Sequence, residues 1–211
     1  MNHSHGMLFV ATNISPQDEA DFNMWYDKEH VAERVGITGF LSGTRFVAIN
    51  ASRKYLGLYE TESLDTFNSE AYHAAFHHQT GWSVSNLQKM VNPMRRVCEI
   101  SQRHGRGTGS FLAVLVLPSF VADSLFSEWQ ANATSTPGYI SSCILAPDVA
   151  LSSPLPRENA ADRPMQPMLL ISCSSINSCK KLAERAQKVF SGDIHLYTLD
   201  WHLTRQEMAH G

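Results

Sequence analysis

The order of elements along the chain predicts an α+β fold of two tandem ferredoxin-like β-α-β-β-α-β units, each with an antiparallel sheet and both helices on one face. Three observations carry this. Strand-like and helix-like segments run in that order over residues 1–104 and start again over 105–211. A glycine-bearing link, Ser101 to Gly109, separates the two runs. Finally, Phe22-x-x-Trp25 ahead of Thr38-Gly39-Phe40 is echoed by Phe126-x-x-Trp129 ahead of Pro137-Gly138-Tyr139. A repeat on this scale is weighed before other fold classes.

In the first unit, Met7 to Asn13 (MLFVATN) is a buried strand that stops before Ser15-Pro16. Ser15 as N-cap, Pro16 in the first turn, and Asp18 and Glu19 near the positive end of the dipole open a helix that ends by Gly36. Phe40 to Ile49 and Lys54 to Glu60 form strands around the polar turn Asn50 to Arg53. A second helix is expected from Leu64 to about His77, then an unassigned stretch after Gly81-Trp82, then a strand from Met94 to Ile100. The second unit repeats this: strand Phe111–Leu117, helix Ala122–Ala133, strands Tyr139–Ala146 and Met168–Ser174, an amphipathic helix Ser178–Phe190 and a strand Asp193–Leu203. Leu151 to Pro167, with four prolines, is expected to be a surface loop rather than a flap, with Arg157, Glu158 and Arg163 its only functional-looking side chains.

Composition narrows the function classes. A chain of 211 residues with 43% apolar and 18% charged residues is ordinary globular material. A net charge of −3 with no Lys/Arg-rich run argues against nucleic acid. The longest apolar run, Phe111 to Leu117, is far short of a membrane span, and the N-terminus lacks a signal-peptide pattern, so a soluble, cytoplasmic protein is expected. Cys98, Cys143, Cys173 and Cys179 form no C-x-x-C pair and suit buried apolar positions. The absence of G-x-G-x-x-G, P-loop and G-x-S-x-G motifs leaves nucleotide cofactors and a serine hydrolase without support.

The chemistry concentrates in Asp21–Arg34, DFNMWYDKEHVAER. At 100° per residue Phe22, Trp25, Tyr26, Glu29 and Glu33 share one arc. Asn23, Asp27, His30 and Arg34 share the next, and Ala20, Met24, Val31 and Val35 form a second apolar stripe. The helix is therefore expected to pack on both sides, with its polar arc at a cavity edge. Trp25 lies fourteen residues before Gly39, whereas Trp129 lies nine before Gly138, so the second unit lacks the segment corresponding to Asp27–Arg34. The first unit is expected to hold the chemistry and the second to be scaffold.

The run DFNMWYDKEHVAERVGITGFLSGTRFVA followed by KYLGLYE resembles the EthD-like branch of the dimeric α+β barrel superfamily, whose members carry W-Y-x-x-E-H near the end of the first helix and then a G-F strand. The resemblance covers roughly residues 7 to 100 and is most specific over 21 to 60. It implies that the two sheets close into a barrel, either within one chain or through association of copies. The superfamily spans cofactor-free isomerases, decarboxylases, monooxygenases, haem enzymes and ligand sensors, so the reaction rests on the residues themselves.

His30 is the sharpest candidate, a proton carrier oriented by Asp27 or Arg34, or simply a helix-end histidine. Glu29 and Glu33 are acids on an aromatic face, tuned toward neutrality by burial, or ion-pair partners of Arg34 or Arg45. Tyr26, Tyr55 and Tyr59 suit a pocket for a flat ring-bearing substrate, while Trp25 suits core packing. Arg45 suits an enolate or carboxylate. His73 and His77 have helical spacing for a metal but no supporting carboxylate, and a pocket-edge role for His77 beside His30 is the alternative; His3 and His5 are weak metal candidates. The expected function is a lyase or isomerase working without cofactor or metal by proton transfer on a ring-bearing or lactone-type acid. His30, Glu29, Asp27, Tyr26 and Arg45 would be catalytic, with Trp25, Glu33, Arg34, Tyr55, Tyr59 and His77 binding substrate. A cofactor-independent monooxygenase and a non-enzymatic ligand-binding module are the alternatives, and a haem held by His30, His73 or His77 would show as a Soret band.

Overall fold

The computed structural model describes residues 4–209. Eight strands, β1 (Gly6–Asn13), β2 (Phe40–Asn50), β3 (Tyr55–Thr61), β4 (Val91–Gly105), β5 (Phe111–Val116), β6 (Tyr139–Pro147), β7 (Met168–Cys173) and β8 (Asp193–Thr204), close into a barrel ordered β1-β3-β2-β8-β5-β7-β6-β4. Each half contributes an antiparallel sheet of the same order, β4-β1-β3-β2 and β8-β5-β7-β6. The seams are β2 against β8 and β4 against β6. The barrel thus closes within one chain.

Alternation places every second strand residue inside. Met7, Phe9 and Ala11 of β1 face the lumen with Phe46, Leu56, Leu145 and Met168, whereas Leu8 and Val10 face the helices. Both faces of the sheet are covered, which is why β1 reads as a continuous apolar run. No helix among the described residues is long and apolar enough to cross a membrane.

The helices lie outside the barrel and depart from expectation in three ways. The first begins at Glu19 rather than Ser15, because Asp18 N–H bonds Ser15 O and closes a turn first. It runs as α1 (Glu19–Trp25), a π-helical turn (Tyr26–His30) and α2 (Val31–Gly36). The expected helix over 64–77 is split into a 3₁₀ turn (Leu64–Asn68) and α3 (Glu70–His77), since Ser69 is extended and its hydroxyl caps Tyr72 N–H. The unassigned stretch is α4 (Gly81–Lys89), capped by Thr80 accepting from Ser83 N–H. The second half carries α5 (Asp123–Thr134) and α6 (Ile176–Phe190), and α7 (Arg205–Met208) ends the described chain.

The link is shorter than expected because β4 runs through Gly105, whose φ of +76° and whose approach to Ile140 O admit no Cβ. The loop over 148–167 is not a plain surface loop. On β4, Arg95 points toward the helices and Arg96 into the lumen, and the loop folds back to satisfy both. Arg95 Nη1 donates to Leu151 O and Ser153 O, both at 3.0 Å. Arg96 and Arg163 pair with the buried Glu158 carboxylate, so Arg163 and Glu158 act structurally. Leu155 is buried in the core of the first half's helix layer. The loop is a strap tied across one mouth of the barrel. All four cysteines are buried and free.

Candidate active site

The π-helical turn decides where the site residues go. Val31 N–H bonds Tyr26 O, five residues back, so the turn is wider than the 100° wheel assumes. His30 consequently leaves the polar arc and enters the aromatic face. Its ring lies 4.1 Å from Trp25, 5.0 Å from Tyr26 and 6.1 Å from Tyr59, between centroids. The same shift carries Glu29 off that face. Of the expected second apolar stripe only Val31 and Val35 are buried, and Met24 is 59% exposed. The second packing surface is instead α4, reached by Trp25.

Trp25 is core, with its indole N–H donating to Ser83 Oγ at 3.0 Å. Ser83 and Thr80 in turn donate to Glu29 at 3.2 and 2.5 Å, and Ser83 to Glu33 at 3.3 Å. The two glutamates therefore sit at the start of α4, facing neither His30 nor an arginine partner. Burial and the neighbouring Glu29 push the Glu33 carboxyl above the usual glutamate range. Their expected place on the aromatic face is corrected by the wider turn.

Asp27 does not orient His30. It accepts from Arg45 Nη1 at 2.8 Å and from Trp201 Nε1 at 3.0 Å, so a residue of β8 in the second half completes the site. Arg45 also bonds Asn23. Its guanidinium lies 4.7 Å from the centre of the Tyr26 ring and 5.1 Å from that of Tyr55. Tyr55 donates to Glu19 at 2.6 Å, which fixes it at the cluster's margin. His73 and His77 are exposed on α3, so His77 does not share a cavity with His30. His5 pairs with Glu60, and His3 lies outside the described residues.

What remains at the centre is a buried cluster with unmet polar valences. His30 Nδ1, Arg34 Nε and Arg45 Nε are buried and make no hydrogen bond among the described residues, and the Tyr59 hydroxyl lies against that of Tyr26. Buried polar atoms are normally paired, so three orphans around one aromatic cluster need a reason. Arg34 is 5% exposed and forms no ion pair among the described residues. Burial, then Arg34, then Arg45 hold the His30 imidazole well below its ordinary pKa, so it is neutral at pH 7. Burial pushes the Tyr59 hydroxyl well above its ordinary value and that of Tyr26 upward. Tyr59 lies across Gly43 and Gly57, where a Cβ would come within 3.1 Å of its ring. The arrangement is a neutral imidazole beside two guanidinium groups, of which Arg45 is paired with Asp27 and lies 3.6 Å from Asp200, while Arg34 has no carboxylate partner among the described residues.

No family model and no curated protein matches the sequence. Solved structures do. An anthrone oxidase-like protein superposes with a TM-score of 0.60 at 12% identity, covering 97% of this chain and 94% of its own. A Lactobacillus acidophilus protein proposed to be a monooxygenase gives 0.59 at 9%, covering 96% and 97%. A heme-binding protein from Thermus thermophilus gives 0.53 at 8%, covering 98% and 94%. The fold is that of the dimeric α+β barrels. At these identities the likeness of this α+β barrel to its neighbours is one of fold alone.

A haem held by His30, His73 or His77 does not fit their surroundings. One face of His30 is taken by Trp25, its edges by Tyr26 and Tyr59, and His73 and His77 are on an open helix face. The corresponding layer of the second half is filled by Phe126, Trp129 and Phe190.

Proposed function

We propose that this α+β barrel is a cofactor-free oxygenase that deprotonates a ring-bearing enol, phenol or activated methylene compound and passes the anion to dioxygen. The observation that carries the reading is the buried Arg34 side chain, without an ion pair among the described residues, beside a neutral His30, together a base and a site for an anion. A base with so low a pKa is weak, so it suits only a carbon acid whose anion is spread over a ring and held by fixed positive charge.

His30 takes the proton from the carbon next to the carbonyl, and the electron pair moves onto oxygen. Arg34, Arg45 and the Tyr59 hydroxyl hold that oxyanion, and the Tyr26 and Trp25 rings set the substrate plane. The carbanion form reduces dioxygen as the new C–O bond forms, and the resulting peroxide takes the proton back from His30. Loss of water, with the second hydrogen of the same carbon, leaves a carbonyl. In sum CH₂ + O₂ gives C=O + H₂O. Because the cluster is closed, binding includes an opening step. Two structural neighbours, an anthrone oxidase-like protein and a protein proposed to be a monooxygenase, support this outcome. The likeness of residues 21 to 60 to the EthD-like branch supports the same locus.

A lyase or isomerase is the second reading, favoured by one property of the same group. An imidazolium held at a low pKa is a strong acid, and it returns its proton to another carbon of the anion readily. Oxygen uptake separates the two. With anthrones, naphthols and unsaturated lactones as substrates, the oxygenase consumes one O₂ per turnover, and turnover under argon without uptake overturns it. His30→Ala should lower turnover by on the order of 10²–10⁴ with the circular dichroism spectrum intact. Wild-type turnover in that variant removes His30 from the mechanism in either reading.

A further inference from the structure

The barrel lumen holds a second site. The strap closes one mouth, but the other opens into a cavity of about 550 Å³. Its inner wall is apolar, formed by Met7, Phe46, Leu58, Leu112 and Leu170 from both halves. Its rim is polar, with Thr44, Glu60, Arg103, Arg106 and His202. None of the side chains assigned to proton transfer lines it, because β2 and β3 present Arg45 and Tyr59 to the helices and Thr44, Phe46, Leu58 and Glu60 to the lumen.

The rim chemistry selects a charge. Arg103 is already satisfied by Glu60 at 2.8 Å, a carboxylate that also accepts from His5. His202 shares a hydrogen bond with Thr44 Oγ1 at 2.7 Å through Nδ1, which leaves Nε2 for a ligand. Arg106 forms no ion pair among the described residues. Glu60 holds Arg103 and Glu207 lies near His202, so the guanidinium without a carboxylate partner among the described residues at the entrance of the apolar cup is that of Arg106. Gly105 and Gly107, with φ of +76° and +84°, turn the chain so that Arg106 is presented at that rim. A cavity of this size with a few convergent polar groups is the ordinary form of a small-molecule site.

We propose that the open mouth of the barrel binds an amphiphilic monocarboxylate, its apolar body in the cup and its carboxylate on Arg106 and His202 Nε2. The inference does not rest on the assignment of His30, since the two sites lie on opposite faces of the sheet. The test uses the full chain with [methyl-¹³C]methionine and three probes of equal length: sodium decanoate, decanol and decyltrimethylammonium. Met7 lies in the cup wall and Met24 is exposed on α1, so they serve as reporter and reference. Decanoate should shift the Met7 methyl signal saturably and leave Met24 unmoved, and Arg106→Gln should weaken that binding about tenfold, as removing a charge-assisted hydrogen bond does. An unmoved Met7 signal overturns the cup as a binding site. Equal affinity for the cationic probe, or for decanoate in Arg106→Gln, overturns the carboxylate assignment.

Discussion

The two helix layers of the barrel start alike and end differently. Phe22 and Trp25 meet at 5.8 Å in the first and Phe126 and Trp129 at 5.7 Å in the second, so the repeat is geometric as well as sequential. Beyond that point the first layer packs Trp25 against His30 at 4.1 Å, whereas the second sets Trp129 edge-to-face on Phe190 at 5.8 Å. The first layer surrounds its histidine with polar atoms that lack partners among the described residues, whereas beside the second layer the unpartnered Gln102 Oε1 lies at the start of α5, away from Trp129. The layer with the π-helical turn buries polar atoms without partners among the described residues, whereas in the second the buried Gln130 is met by Tyr139 and Ser142 within a mostly apolar core.

The sharpest way to break this contrast is to damage the quiet layer. Trp129→Ala should cost about 3–5 kcal/mol of unfolding free energy, the range for truncating a buried aromatic. Turnover per folded molecule should stay at the wild-type value, measured by denaturant titration alongside activity. A proportional loss of specific activity would show that the second layer takes part in the reaction.

A smaller change in stability, of opposite sign, is expected in the layer that holds His30. Arg34→Met removes a buried charge without an anion and fills the same space. It should stabilise the ligand-free protein by about 1–3 kcal/mol while lowering turnover by on the order of 10²-fold. A destabilised Arg34→Met variant would mean that the guanidinium has a structural partner after all.

The smallest effect is one of pH. His30 is held neutral in the fold but titrates near 6.5 when unfolded, so in between only the unfolded chain binds the proton. Its contribution is nil above that range, and stability falls as the pH drops from about 6.5 toward the folded value. Burial lowers His195 and His202 in the same direction. The signal is therefore the difference between wild type and His30→Gln, whose stability should decline less steeply from pH 7 to 5. Parallel curves for the two proteins would place His30 in solvent.

The architecture was legible because strand order, the Phe-x-x-Trp echo and the two Pro/Thr-Gly-aromatic turns are local signals. The clustering of aromatic and polar side chains between Asp21 and Arg34 was visible in the same way. Its geometry was not, since a wheel at 100° per residue assumes α-helical spacing and one i→i+5 bond at Tyr26 carries His30 into the aromatic cluster and Glu29 to the start of α4. The α4 helix was hidden because Gly81 starts it and its apolar positions are sparse; Thr80 was the cap signal available. Trp201 on Asp27 and the lumen rim join residues more than a hundred positions apart, and nothing in a single sequence reports such pairs.

The strap has a consequence for how the chain can be divided. Leu155 and Glu158 are encoded in the second repeat, yet one fills the first half's core and the other neutralises Arg96 of β4. A fragment ending in the link would lose both, and it would also expose β2 and β4 as unpaired edges. Such a fragment has one route back to a closed barrel, which is to pair those edges with a copy of itself. The single-chain barrel is in that sense a dimer made permanent by fusion, and the strap is the part that a true dimer of first halves would have to do without.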